Sequence, residues 1–475
     1  MDIKQQLNIL YQNKEEIEKE ILSLERQIEL NTFNRFILKD AIYINTTNLS
    51  TTIQDKLKAL ASFANPQIKI LEGLRKPLYN TPRTIKGYEE DKKSNTLILP
   101  RGLMRDVIQL FNENNINSSF QDERFYQKEE FKDVVFTLRD EQQKAINYIN
   151  KKDFCMCVAP PGFGKTLLGA KMIELRHANT LVIVNKNMLL DQWIDRFVEY
   201  FDYSKKDIGY LGKSKNKLNN KLDIATMQSL KNNIEIIKKY SFVIVDECHH
   251  IPAVTFEKIL KQFKGKYILG LSATPNRKDG MQPLIFQQIG NIAYEAKTIT
   301  SKNNKLKIVN TDFISNVDNF ADLITELINN NQRNHIIIEQ IKLYKNRKIL
   351  LLTDRIEHIE NLEHLLDVDN ISYISIHGSM KKNIQQENMK AVKDASLVLA
   401  TTSYFGEGID FPHLNTIILA TPISYYGRLV QYLGRIGRDG SDSLAIDILD
   451  DKNPFTASAY RKRKSGYEQL DYKLL

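Results

Sequence analysis

The stretch Phe154-Cys155-Met156-Cys157-Val158-Ala159-Pro160-Pro161-Gly162-Phe163-Gly164-Lys165-Thr166-Leu167 decides the fold. A short apolar run leads into a glycine-containing turn, and Leu167 to Leu175 continues with helical character. Strand, turn and helix in that order are the context a phosphate-binding loop requires. Small residues at Gly162 and Gly164, flanked by Pro161 and Phe163, let backbone N–H groups close on phosphate oxygens at a helix N-terminus. Lys165 is placed to reach β- and γ-phosphates and Thr166 to hold Mg2+. The first loop position is Ala159, where the general pattern has Gly.

Outward from this loop the same texture repeats. Leu181 to Val184, Phe242 to Val245, Tyr267 to Leu271, Ile349 to Leu352, Ser372 to Ile376, Leu397 to Ala400 and Thr416 to Leu419 are short apolar runs separated by helical segments. Parallel strands buried on both faces read this way. The set divides at a polar stretch, Ala296 to Lys307, which predicts two tandem α/β domains with a hinge near residue 300. A second polar patch, Lys213 through Lys221, reads as a solvated loop.

Two further features carry chemistry. The run Phe242 to Val245 ends in Asp246-Glu247-Cys248-His249, and a carboxylate at the tip of such a strand is where a second Mg2+-holding group belongs, with its neighbour able to orient or deprotonate water. In the distal half, Arg435 and Arg438 of Gln431-Tyr432-Leu433-Gly434-Arg435-Ile436-Gly437-Arg438 lie three apart on one helical face. Guanidinium groups suit fork-like contacts with phosphate oxygens. Arginines supplied from a second domain would stabilise transition-state charge only on closure; a surface basic helix is the alternative.

Before the loop the reading is thinner. Ile3, Leu7, Leu10, Ile17, Ile21, Leu24 and Ile28 form a seam broken only by Lys14, so residues 1–30 are a coiled-coil candidate, for self-association or for folding back as an amphipathic helix. Residues 31–132 are punctuated by Pro66, Pro77, Pro82 and Pro100. There Thr96 to Leu99 reads as a strand, Leu103 to Phe111 as a helix and Ser118 to Asp122 as a strand, a βαβ-like unit in a small α+β accessory domain. The 475 residues divide accordingly into 1–30, 31–132, 133–300 and 301–475.

Composition bounds the rest. With 42% hydrophobic residues the chain is an ordinary globular one, and 67 Lys+Arg against 58 Asp+Glu leaves +9, which permits a nucleic-acid partner without demanding one. Three cysteines match no paired zinc-ligand spacing and read as buried reduced thiols. No apolar run approaches the roughly 18 residues of a membrane span, and no secretory h-region follows Met1, so the expected compartment is the cytoplasm.

Taken in order, Ala159 to Thr166, Asp246-Glu247-Cys248-His249, Ser272-Ala273-Thr274 and Gln431 to Arg438 resemble the motifs of a superfamily 2 helicase or translocase, over residues from about 133 to 450. The resemblance implies two RecA-like domains with parallel sheets, ATP with Mg2+ between them, and a nucleic-acid groove across both. Leu138 to Gln142 is similar to the adenine-sensing segment, which implies a nucleotide contact for Gln142. Leu181 to Trp193 and Asp223 to Gln228 resemble strand-contacting motifs, as do Thr353-Asp354-Arg355, His377-Gly378-Ser379-Met380 and Thr401-Thr402 through Asp410 in the second half. Within the superfamily the chain is most similar to the XPB and UvsW branch, which works on DNA, and to the helicase part of TOTE conflict systems. Leu271 to Gly280 resembles a signature of that branch in which an Arg-Glu-Asp triplet follows the coupling motif; here Arg277-Lys278-Asp279 has Lys278 in place of Glu.

The resemblance implies that Lys165, Asp246, Glu247, Gln431, Arg435 and Arg438 serve hydrolysis, with Gly408 and Asp410 also at the nucleotide. Ser272, Ala273 and Thr274 would relay its state. Thr226, Gln228, Arg277, Arg355, His377, Gly378, Thr401 and Thr402 would meet nucleic acid, DNA favoured and RNA open. Threonines at strand ends also cap helices, and His377 equally suits a packed loop. The rival activities are duplex translocation without unwinding, as the motor of a restriction or defence assembly, and nucleotide-dependent binding with little turnover.

Overall fold

The computed structural model describes residues 11, 13–14, 16–24, 34–79, 81–160, 162–248, 253–274, 277, 279–296, 303–405, 413–423, 426–434, 436–437 and 442–475. They fall into two compact units: Met1–Val158 with Thr166–Glu295, and Ala159–Lys165 with Ala296–Leu475.

The first unit opens with the accessory region. Its strands are β1 (Asn34–Leu38), β2 (Ile42–Asn45), β3 (Ser62–Ala64), β4 (Thr84–Lys86), β5 (Glu89–Asp91), β6 (Thr96–Leu99) and β7 (Ser118–Asp122). Five of them form one sheet in the order β5-β6-β2-β1-β7, and β3 pairs with β4 apart from it. The expected β–α–β unit is present in a split form: helix α1 (Met104–Glu113) connects β6 to β7, and the β1–β2 pair is inserted between them. Because β2 is antiparallel to both β6 and β1, and β1 is parallel to β7, the two flanking strands still run the same way. Period-two burial of Phe36, Leu38, Ile42 and Ile44 meets Val107 and Phe111 of α1 in a core of its own.

The second sheet contains β8 (Phe154–Val158), β9 (Thr180–Val184), β10 (Gly209–Gly212), β11 (Lys215–Lys217), β12 (Leu222–Thr226), β13 (Phe242–Asp246), β14 (Tyr267–Ser272) and β15 (Ile292–Glu295). Its order is β11-β10-β12-β9-β13-β14-β8-β15, with every pair parallel except β10–β11. β9, β12 and β13 are buried along their whole length, as strands covered on both faces must be. The polar patch at Lys213 to Lys221 is solvated, but it is a hairpin and not a loop: β11 is an exposed lysine-bearing edge strand, a composition that blocks further pairing. Helices α2 (Asp140–Ile149), α3 (Lys165–Arg176), α4 (Asn187–Phe201) and α5 (Gln282–Ile289) belong to this layer.

The accessory region is joined to this sheet at the amino ends of the strands. The guanidinium of Arg101, fully buried, donates to the carbonyls of Asp40 and Gly265 at 3.2 Å each and lies over the rings of Phe154 and Phe263. Arg124 donates to the Lys266 carbonyl at 3.0 Å and pairs with Asp122 and Asp153. The following segment continues along the same edge, with Gln127 N donating to Ser241 Oγ at 2.6 Å and Lys128 bridging Ala178. Asp153, Lys266, Ser241 and Ala178 stand at or just before the starts of β8, β14, β13 and β9.

The second unit holds β16 (Asn304–Asn310), β17 (Ile349–Thr353), β18 (Ile374–Ile376), β19 (Leu397–Thr401), β20 (Thr416–Leu419), β21 (Ser443–Leu449) and β22 (Lys473–Leu474), all parallel, in the order β18-β19-β17-β20-β21-β16-β22. Two buried ion pairs, Arg333–Asp450 and Arg463–Asp447, brace its interior. The stretch expected as a polar linker is partly strand, because Lys305 and Lys307 lie in β16; residues 297–302 are outside the described residues. The mixed α/β class with two tandem parallel-sheet domains is as expected. Of the N-terminal seam, Ile3, Leu7, Leu10 and Ile28 are outside the described residues, whereas Ile17, Ile21 and Leu24 are helical and exposed.

Candidate active site

Three neighbouring strands of the first unit deliver the key residues at their carboxyl ends. β14 lies between β13 and β8, with Asp246 in register with Leu271 and Ser272 with Val158. Asp246, Ser272 and the chain leaving β8 toward Ala159 are therefore at one end of the sheet, the end where α/β folds bind ligands.

In the phosphate loop, Gly162 and Gly164 have φ of 80° and 95°, the left-handed region that favours glycine. Phe163 N donates to Pro160 O at 3.2 Å, and Phe163 is buried, which holds the turn. Lys165 Nζ donates to Ala159 O at 3.0 Å, so the ammonium folds back across the loop. Ala159 itself is fully buried. The positive end of the α3 dipole starts at Lys165 and Thr166, which favours an anion there.

At the tip of β13, the Asp246 carboxylate is buried; Trp193 Nε1 donates to Oδ2 at 2.8 Å and Glu247 N to Oδ1 at 3.0 Å. Glu247 has φ of 45°, uncommon for a residue with a side chain and costing on the order of 1–3 kcal/mol. Its Oε2 accepts from Ala273 N at 3.2 Å, tying the acidic pair to the Ser272-Ala273-Thr274 segment. Within that segment Ser272 Oγ donates to Thr274 O and accepts from Thr274 N, while the buried Thr274 Oγ1 has no hydrogen-bond partner among the described residues. Cys248 beside the carboxylates and Cys155 in β8 are buried thiols, and burial raises both above the ordinary thiol range, Cys155 to about 11. Such thiols are poor nucleophiles, and neither is suited to the chemistry.

The remaining residues are placed as follows. Gln142 is buried in the first turn of α2, where its Oε1 accepts from Arg139 N at 2.9 Å. Thr226 caps the helix Met227–Lys231 by accepting from Ser229 N at 3.3 Å, and Gln228 is exposed. Arg277 is held in a fork by Asp279, at 2.9 and 2.6 Å, and Lys278 lies outside the described residues. In the second unit Thr353 and Thr401 are in register at the ends of β17 and β19. Thr402 Oγ1 donates to Asp354, Thr401 accepts from Ser403 Oγ, and both threonines are buried. Arg355 is exposed at the start of the helix Ile356–Val368. His377 is half-buried with Nδ1 unpartnered among the described residues, and Gly378 is exposed. Gln431 is buried on the helix Tyr426–Leu433. Pro161, Gly408, Asp410, Arg435 and Arg438 lie outside the described residues. Sequence reasoning missed Trp193 as the partner of Asp246; its one signal was that it is the chain's single tryptophan.

Comparison with known proteins agrees with this geometry. Residues 120–277 match the family described as type III restriction enzyme, res subunit, and residues 332–440 the helicase conserved C-terminal domain. The chain is 28% identical over 368 residues to a putative ATP-dependent RNA helicase of Acanthamoeba polyphaga mimivirus, covering 71% of this chain and 69% of that one. It is 25% identical over 371 residues to a DNA 3'-5' translocase of Sulfurisphaera tokodaii named XPB2, covering 66% and 81%. Among solved structures, S. cerevisiae Dbp5 bound to RNA and ADP BeF3 superposes with a TM-score of 0.55 at 13% identity, over 70% of this chain and 88% of that one, a likeness of fold.

Proposed function

The chain belongs to superfamily 2 of the helicases and translocases, in its XPB/UvsW-like branch, and from that premise we propose that it couples ATP hydrolysis to movement along DNA. The observations that carry this reading are the left-handed Gly162 and Gly164 of the loop that follows β8 and, separately, the Asp246–Glu247 pair at the carboxyl end of β13. Residues 133–300 and 301–475 are the two motor domains, and 31–132 with the helix of 1–30 the accessory part.

Backbone N–H groups of residues 162–166 and the Lys165 ammonium bind the β- and γ-phosphates. The Thr166 hydroxyl and the Asp246 carboxylate are hard oxygen donors of the kind Mg2+ prefers. Bound there, the ion neutralises charge on the phosphate oxygens. Glu247, fixed by Ala273 N, orients water toward the γ-phosphate. Gln431, Arg435 and Arg438 then meet the phosphates from the second domain, and Gln142 the base. Arg277, Arg355, His377, Gly378, Gln228 and the threonines 226, 401 and 402 line the path of the strand, the buried threonines through neighbouring backbone.

ATPase rates with single-stranded DNA, duplex DNA, forked DNA and RNA in parallel test this. DNA is expected to raise the rate several-fold; a rate that no nucleic acid changes would overturn the motor reading, and stimulation by RNA alone would overturn DNA. The res-subunit match over 120–277 favours a second reading, translocation on duplex without unwinding. Displacement of a triplex strand while forked duplexes stay annealed would select it.

A further inference from the structure

We propose that Trp193 is a positioning residue for the metal-holding carboxylate: its indole N–H fixes the Asp246 side chain in the orientation that Mg2+ requires. The inference rests on the assignment of Asp246 to the metal. Trp193 is the single tryptophan of the chain, sits on α4, and is almost wholly buried. Its Nε1 donates to Asp246 Oδ2 at 2.8 Å, a direct bond within the first unit.

A buried indole needs one acceptor for its single donor, and any backbone carbonyl would serve; here the acceptor is the one carboxylate at the tip of β13. The ring is also locked in place. Phe197, one turn along α4, meets it edge-on with centroids 5.2 Å apart. On the other side α3 makes room for it by having glycine at residue 169, where an added Cβ would lie 2.9 Å from the indole Cη2. The indole therefore touches α3, the helix that begins at Lys165 and Thr166, while bonding to the end of β13. With Glu247 N on Oδ1, the two donors take one oxygen each and stop rotation of the carboxylate about its own axis. Partners of this kind behind a metal ligand contribute about 10- to 100-fold in metal affinity or activity.

Because there is one tryptophan, biosynthetic replacement by 3-benzothienylalanine exchanges N–H for S at this position alone and keeps the ring shape. The replaced protein, full length and with ADP present, is expected to bind Mn2+, read by electron paramagnetic resonance, about ten-fold more weakly than the parent. The Mg2+ concentration for half-maximal ATPase should rise alike, with melting temperature little changed. Trp193→Phe should reproduce the shift. Unchanged Mn2+ affinity in both proteins overturns the proposal, as does a loss of activity that follows the fraction folded with no change in metal dependence. Asp246→Asn separates the two layers of argument: if it leaves Mn2+ binding intact, the metal assignment of Asp246 fails; if it abolishes binding while the tryptophan replacements do not alter it, only the role of Trp193 fails.

Discussion

The two ends of the second sheet are built from the same strands and solve opposite problems. At the carboxyl ends stand Asp246, Glu247 and a Thr274 hydroxyl with no partner among the described residues, and the chain that leaves β8 there turns through the left-handed Gly162 and Gly164. At the amino ends three arginines, 101, 124 and 176, are sunk among carbonyls and aromatic rings. Arg176 lies 4.6 Å from the ring centroid of Phe242 and 4.4 Å from that of Tyr267, the first residues of β13 and β14. Burial lowers the Arg101 guanidinium to about 9, so it stays charged at neutral pH and its charge is spread over ring faces and carbonyls. Charge at a sheet end is thus not by itself a sign of function; at the amino end it fastens residues 34–122 to the motor sheet.

The difference is broken most sharply at Lys165. Lys165→Ala removes the phosphate-reaching ammonium and is expected to reduce ATPase by about 100-fold or more, the scale of losing one preorganised donor to a developing charge. The melting curve should shift far less than the activity, since Lys165 bonds the Ala159 carbonyl within its own loop. A melting loss as large as the activity loss would mean that the two ends are not separate in role.

The converse change is Gly102→Val at the amino end. A Cβ at residue 102 would lie 2.4 Å from Phe286 O, 2.6 Å from Gln287 O and 2.7 Å from Gly290 N, all backbone atoms of or beside α5 that cannot swing aside. Overpacking of this kind costs about 1–3 kcal/mol. Thermal melts should show a loss of several degrees, about 2–4 °C per kcal/mol in a unit of this size, with ATPase per folded molecule unchanged. Activity lost in fully folded protein would instead show that the accessory region acts on the carboxyl end.

How much of this was legible follows the same division. The phosphate loop and the acidic strand tip could be read because glycine spacing and carboxylates after an apolar run are local patterns, whereas the Ser272-Ala273-Thr274 segment entered only through the family resemblance. The strands β15, β16 and β21, and the pairing of β1 with β7, were not read, because neighbours in a sheet are set by contacts far apart in sequence. The burial of Arg101, Arg124 and Arg176 was not legible, since nothing in a sequence says which carbonyls and rings will surround a guanidinium. Thr226 caps the next helix, the alternative that threonines at strand ends already offered, whereas the bond from Thr402 to the Asp354 carboxylate in the second unit joins distant segments that no local pattern links.

The smallest expected effect sharpens what kind of fastening the amino end is. Asp122 is held below the ordinary carboxylate range first by the Arg124 hydrogen bonds, and then by the Arg124 N–H and nearby charges against the opposing effect of burial. A carboxylate with a depressed folded-state pKa contributes stability above its unfolded value of about 3.9 and loses it as pH falls through the lower folded value. The side chain of Asp122 is 36% exposed, so solvent screens the pair and its contribution is expected to be at most about 1 kcal/mol. Asp122→Asn should therefore destabilise slightly between pH 5 and 7, measured by urea unfolding, and the gap from the parent should close below about pH 4 as the parent carboxylate is protonated. A gap that persists once the folded carboxylate is itself protonated would mean that Asp122 acts through packing, and that the Arg124 ring and carbonyl contacts, which do not titrate there, hold the edge without the ion pair.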